Sequence, residues 1–125
     1  MPHYLAETYS PKPAWQALGT AQKQAFFEQV GAGMPALLAL GIEPLAFCAT
    51  DGSKPHAGAE AFFALWCCPD EAALDALLAG IAQTGWHDYF VTRNLAGAGE
   101  DISAHLARLA GQAGRPSGQV VGRSA

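Results

Sequence analysis

The chain has 125 residues, half of them hydrophobic and 14% charged, which is the size of one ordinary domain of about 100 to 150 residues. Seven Lys and Arg against eleven Asp and Glu leave a formal charge of −4. That balance lacks the basic surplus phosphate neutralisation requires, so no nucleic-acid partner is expected. No apolar run approaches the roughly 18 residues of a membrane span, and the opening MPHYLAE has neither region of a signal peptide; a cytoplasmic protein without a membrane partner is expected.

Residues 3–9, HYLAETY, are rich in aromatic and β-compatible types and stop at Ser10-Pro11-Lys12-Pro13, where proline removes ladder donors; they predict a first strand. A loop through Trp15 leads to Thr20, placed as the N-cap of a helix with the apolar stripe Phe26, Phe27, Val30, Met34, Leu37 and Leu38. Pro35 lies inside this stripe, just after Gly31 and Gly33, and predicts a kink or a split. Gly41 closes the helix as a C′ residue. Residues 43–50, EPLAFCAT, read as a second strand before the turn cluster Asp51-Gly52-Ser53-Lys54-Pro55. Residues 60–68, EAFFALWCC, form a continuous apolar run, expected to be a central strand covered on both faces. Asp70 caps a second helix with Leu74, Leu77, Leu78 and Ile81 on one stripe, ending before Gly85. The aromatic and β-branched residues 86–94, WHDYFVTRN, read as a fourth strand. Past Gly97-Ala98-Gly99, Asp101 caps a short helix with Ile102, Leu106 and Leu109 inward, stopping at Gly111. Residues 112–125 read as a flexible tail, leaving residues 1–111 as a single domain.

The order βαββαβ with an extra C-terminal helix belongs to the α+β class and predicts a ferredoxin-like, four-stranded antiparallel sheet with helices on one face. No element remains to cover the other face. Apolar residues nevertheless occupy both parities of the third strand, Phe63 and Leu65 on one face, Phe62 and Trp66 on the other. A second copy is the simplest cover, so a homodimer is expected.

Three segments, YLAETYSPKPAW, FFALWCCPD and GWHDYF, resemble the dimeric α/β-barrel superfamily and, within it, a small, uncharacterised bacterial family. The resemblance spans roughly residues 3 to 110 and implies two ferredoxin-like subunits packed sheet to sheet around a cavity. The superfamily includes cofactor-independent monooxygenases, isomerases such as muconolactone isomerase, haem-handling proteins and members without assigned chemistry. The resemblance therefore implies a pocket, not a reaction.

In a strand, His87 and Tyr89 share one face while Trp86, Asp88 and Phe90 share the other, so His87 and Asp88 form no dyad. Facing a barrel interior, His87 offers an acid or base near neutral pH and Tyr89 a hydrogen bond to a ligand oxygen; facing outward, His87 is an ordinary strand-end histidine. Glu7 stands among apolar neighbours, where desolvation would raise its pKa toward that of a useful base, unless it faces solvent. Trp66 offers a flat apolar wall with one N–H donor and serves equally well as core. The expected ligand-binding set is therefore Glu7, Trp66, His87 and Tyr89. A slip of one residue in strand register would exchange every face in this reading.

Cys48, Cys67 and Cys68 are odd in number and include a vicinal pair whose bridge would be strained; they read as reduced, buried small hydrophobes. His3, His56 and His105 are scattered without paired-ligand spacing, so no metal is expected. One histidine suffices as an axial haem ligand, but a lone histidine is more often structural, and no cofactor is expected. Gly31-Ala32-Gly33 and Gly97-Ala98-Gly99 do not complete a dinucleotide fingerprint, and neither a P-loop nor G-x-S-x-G occurs.

Two functional readings follow. In the first, a homodimer carries a pocket for a small apolar or aromatic molecule, with cofactor-free acid/base chemistry such as isomerisation or oxygenation as its reaction type. In the second, a non-catalytic ligand-sensing or accessory module has the same aromatics packing its interior shut. They diverge on cavity volume, since a pocket with convergent polar groups occupies roughly 300 Å³ or more.

Overall fold

The computed structural model describes residues 1–111; the tail read at residues 112–125 lies outside the described residues. Four strands, β1 (His3–Pro11), β2 (Glu43–Ala49), β3 (Phe62–Cys68) and β4 (Phe90–Ala98), form one sheet in the order β2-β3-β1-β4. Every neighbouring pair is antiparallel. With the helices α2 (Thr20–Ala39) and α3 (Glu71–Gln83) in the crossovers, this is the split β-α-β arrangement of the ferredoxin-like fold. Three shorter helices complete the described residues: α1 (Pro13–Gln16), α4 (Trp86–Tyr89) and α5 (Ile102–Gly111).

Strand alternation sorts the side chains. Leu5, Glu7 and Tyr9 of β1 stand beside Trp66, Ala64 and Phe62 of β3, and this parity faces the helices. The core follows from it: Leu5, Ala64, Trp66 and Cys68 pack against Ile42 and against Ala73, Leu74 and Leu77 of α3. A second cluster at the β1–β4 end gathers Trp15, Phe26 and Phe90, with Tyr9, Trp86 and Tyr89 against it. The opposite parity, with Tyr4, Leu65, Val91 and Leu95, is left exposed on the outer face. The expectation that β3 is covered on both faces therefore holds for its helix side alone.

Local chemistry explains the helix ends. Asp70 Oδ1 accepts the Ala73 N–H at 2.8 Å and Asp101 Oδ1 accepts the Ala104 N–H at 2.8 Å, the N-cap role expected of both. Thr20 is the first helical residue and not the cap; Gly19 takes that place, its N–H donating to Gln22 Oε1 at 2.9 Å. Gly41 and Gly85 have φ of +84° and +85°, the left-handed C′ geometry that lets a helix end without a Cβ clash. α2 runs unbroken through Pro35, so the predicted split does not occur, and Trp15, read in a loop, sits on the helical turn α1.

Two further expectations are corrected. Residues 86–89 are not strand: Gly85 reverses the chain, the Asp88 N–H donates to the Gly85 carbonyl at 3.0 Å, and the strand starts at Phe90. Ile102, Leu106 and Leu109 do not point inward but are 68%, 55% and 60% exposed. α5 is held at its start by Glu100, which bonds His105 Nδ1 at 2.8 Å and Arg108 Nη2 at 2.9 Å. It buries none of its residues.

Candidate functional site

Between the helix side of the sheet and the two long helices lies a cavity of about 580 Å³. Its floor is Glu7 and Tyr9 of β1, Ala64 and Trp66 of β3 and Phe47 of β2. One wall comes from α2 through Val30, Gly33, Met34 and Leu37, the other from α3 through Leu77, Gly80 and Ile81, and Trp86 of α4 stands at one end. Small residues account for the space. Ala64, the cross-strand neighbour of both Glu7 and Phe47, has no bulk to fill it. A Cβ at Gly33 would meet nothing within 4 Å, and one at Gly80 would only touch Leu37 at 3.7 Å.

Among the described residues, Glu7 is the single charged one on this lining, and it is only 4% exposed. Burial pushes its carboxyl above the ordinary value, because the ionised form loses its hydration; the nearby Trp66 indole opposes part of that rise. The Trp66 N–H does not reach hydrogen-bonding geometry, and both it and the Trp86 N–H are buried without a partner. Such donors are uncommon in folded interiors. Tyr9 is raised by burial, then by the Glu7 and Cys48 charges, so its phenol is a hydrogen-bond donor at neutral pH. Among the described residues, no Lys, Arg or His lines the cavity.

Of the four residues singled out in the sequence, the structure brings Glu7 and Trp66 together and places the other two elsewhere. His87 is exposed on α4, where its backbone carbonyl accepts a hydrogen bond from Lys12 Nζ at 2.7 Å. Tyr89 packs into the second aromatic cluster, 5.1 Å from Phe26 and 5.6 Å from Trp15 between ring centroids. Strand alternation would put both on one face, and the helical turn at Trp86–Tyr89 removes that alternation. Tyr9 and Trp86 were missed as lining groups. The signal for Tyr9 was its i, i+2 relation to Glu7, which fixes the same face.

The resemblance implied a cavity between two sheets, whereas this one lies within a single chain, on the helix side.

Residues 2–112 match the model of a family described as "Family of unknown function (DUF6616)". The chain belongs to the DUF6616 family. No curated protein matches this DUF6616 chain. A solved structure of a protein described as a "Putative Chlorite dismutase" is similar to it, with a TM-score of 0.61 and 18% identity over 81% of this chain. This DUF6616 chain spans 45% of that protein's length. At that identity the likeness shows the fold alone, which is ferredoxin-like.

The superfamily that the sequence resembles includes haem-handling proteins, which makes haem the cofactor to test against the cavity of this DUF6616 member. Protein ligands to haem iron are His, Cys, Met or Tyr. Among the described residues neither His nor Cys lines the cavity. The raised pKa of Tyr9 opposes the phenolate a tyrosine ligand requires, and among the described residues no cationic side chain lines the cavity for the propionates. Met34 is the one remaining donor type. The residues do not fit haem. Elsewhere, among the described residues, no three His, Cys, Asp or Glu side chains gather as a metal site.

Proposed function

We propose that this chain binds a small, largely apolar or aromatic molecule in the cavity between its sheet and helices. Glu7 is the group that exchanges a proton or hydrogen bond with it, in cofactor-independent acid/base chemistry of the isomerase or monooxygenase kind. The observation that carries this reading is a 580 Å³ space with a buried carboxylate on its floor that has no ion-pair partner among the described residues. That volume exceeds the roughly 300 Å³ expected of a small-molecule pocket, and a buried carboxylate with a raised pKa is the usual form of a base poised toward neutrality. Trp66 supplies an apolar wall beside Glu7; Tyr9 supplies the phenol that Tyr89 does not. An open cavity disfavours the alternative of an interaction module with a packed interior.

The outer sheet face and the exposed stripe of α5 support association with a second copy of the chain, in which apolar surface on both is covered at once. The unbridged thiols of Cys48, Cys67 and Cys68 favour a reducing compartment, the cytoplasm.

Native mass spectrometry, repeated under denaturing conditions to release and weigh any non-covalent passenger, tests the pocket and the assembly together. The expected result is a dimer that carries or takes up a small molecule. A protein that takes up none of a set of small aromatic compounds refutes the pocket reading, and a monomer refutes the association.

A further inference from the structure

Taking that pocket reading as its basis, we infer that the ligand carries a protonated nitrogen, and that the site selects apolar or aromatic ammonium compounds over their neutral and anionic counterparts. The argument starts from charge. The lining includes one carboxylate, and among the described residues no cationic side chain faces it from the sheet, from α2, from α3 or from α4. No ion pair involves Glu7 among the described residues, where the bridges pair Lys54 with Asp51, Arg93 with Glu60, and His105 and Arg108 with Glu100. A carboxylate buried to this degree is ordinarily paired. A ligand cation supplies what the chain omits, and does so in a charge-assisted hydrogen bond, the stronger kind.

The surroundings of Glu7 fit the same occupant. Tyr9, Phe47, Trp66 and Trp86 line the space beside it, with Phe47 set edge-on to Trp66 at 5.5 Å and Tyr9 edge-on to Trp86 at 5.1 Å. Electron-rich rings around one carboxylate make the setting in which organic ammonium groups are held, through ring quadrupole and counter-ion together. The apolar walls of Val30, Met34, Leu37 and Ile81 take the hydrocarbon part. A carboxylate or phosphate ligand would instead meet the Glu7 charge at close range, with neutral donors from Tyr9, Trp66 and Trp86 but, among the described residues, no cationic side chain to offset it. The formal charge of −4 on the whole chain favours the approach of a cation and opposes that of an anion.

Three compounds of one shape separate the cases: 2-phenylethylammonium, 2-phenylethanol and phenylacetate, titrated calorimetrically into the full chain near pH 7.5 and again near pH 4. The expected order is ammonium, then alcohol, with the ammonium favoured at least about tenfold and phenylacetate not bound. Lowering the pH weakens the ammonium, because Glu7 takes up a proton, and leaves the alcohol unchanged. In Glu7→Gln the ammonium and alcohol converge. Binding of the alcohol as tightly as the ammonium in the unaltered protein overturns the inference while the pocket reading stands. Binding of none of the three overturns both. Because the compound series and its pH dependence are read on the unaltered chain, the test does not depend on the variant folding.

Discussion

Gly33 offers a way to close the cavity without disturbing what holds the fold. It lies inside α2 on the cavity wall, in ordinary helical backbone, and a Cβ built there has no neighbour within 4 Å. Glycine in a helix interior is about 1 kcal/mol less favourable than alanine. Gly33→Ala should therefore raise stability by about that much, which for a domain of this length is a rise in Tm of about 4 °C. Tryptophan recovers roughly half of the helix preference and adds an indole of roughly 150–250 Å². Placed on this wall, it competes for the ligand's volume. Gly33→Trp should then unfold no earlier than the unaltered chain, yet bind 2-phenylethanol or 2-phenylethylammonium at least about tenfold more weakly, a loss of ~1.4 kcal/mol. Gly33→Ala should bind as the unaltered chain does. Circular dichroism melts and calorimetric titration on the three proteins decide the matter. A Gly33→Trp protein that is folded and binds with undiminished affinity would refute the assignment of the cavity as the ligand site.

Other consequences follow from the same structure. Because the Glu7 carboxyl is raised above its ordinary value of 4.5, the folded state holds the proton more tightly than the unfolded one. Stability is therefore greatest at acid pH on this account and falls as pH rises from 4.5 through the raised value. Glu7→Gln removes that loss, so its stability advantage in urea unfolding should be present at pH 8 and vanish by pH 4; an equal difference at both would contradict the burial argument. Trp15 is 9% exposed and packs on Phe26, Phe27, Tyr89 and Phe90, so Trp15→Ala should cost about 3–5 kcal/mol in the same assay. Glu100 is held down to about 2 by its hydrogen bonds from Arg108 and then His105. Its NMR titration should show that midpoint, and Arg108→Gln should return it toward the ordinary carboxylate range. Replacing Ile102, Leu106 and Leu109 by serine should leave a folded protein, since all three are exposed, and should weaken the proposed association with a second copy in light scattering; an unchanged mass would remove α5 from that interface.

The fold was legible because its signals are local and repeated. Asp70 followed by a stripe of Leu74, Leu77, Leu78 and Ile81 fixes a helix by capping and period together, and the apolar run ending at Pro69 fixes the strand before it. The candidate site was legible where it depends on strand parity: Glu7 and Trp66 sit on defined strands, and β1 and β3 keep the alternation that puts both on the helix side. It was illegible where one backbone event decides. WHDY has strand composition, but Gly85 at positive φ ends α3 and starts a new turn, and nothing in the four side chains reports that reversal. The cavity itself arises from what is missing, at Gly33, Ala64 and Gly80, on three elements distant in sequence. Absence of bulk carries no periodic signature. The apolar stripe of α5 was read correctly as a stripe, yet periodicity states only that a face is apolar and not whether its own chain covers it.

Trp66 and Trp86 line the cavity and Trp15 does not, so the three indole N–H resonances of a ¹⁵N-labelled chain report directly on where a ligand sits. During titration with 2-phenylethylammonium, the signals of Trp66 and Trp86 should move together along a saturable curve while that of Trp15 stays in place. Saturable shifts confined to Trp15, or to backbone amides of Leu65 and Leu95 on the outer sheet face, would contradict the account.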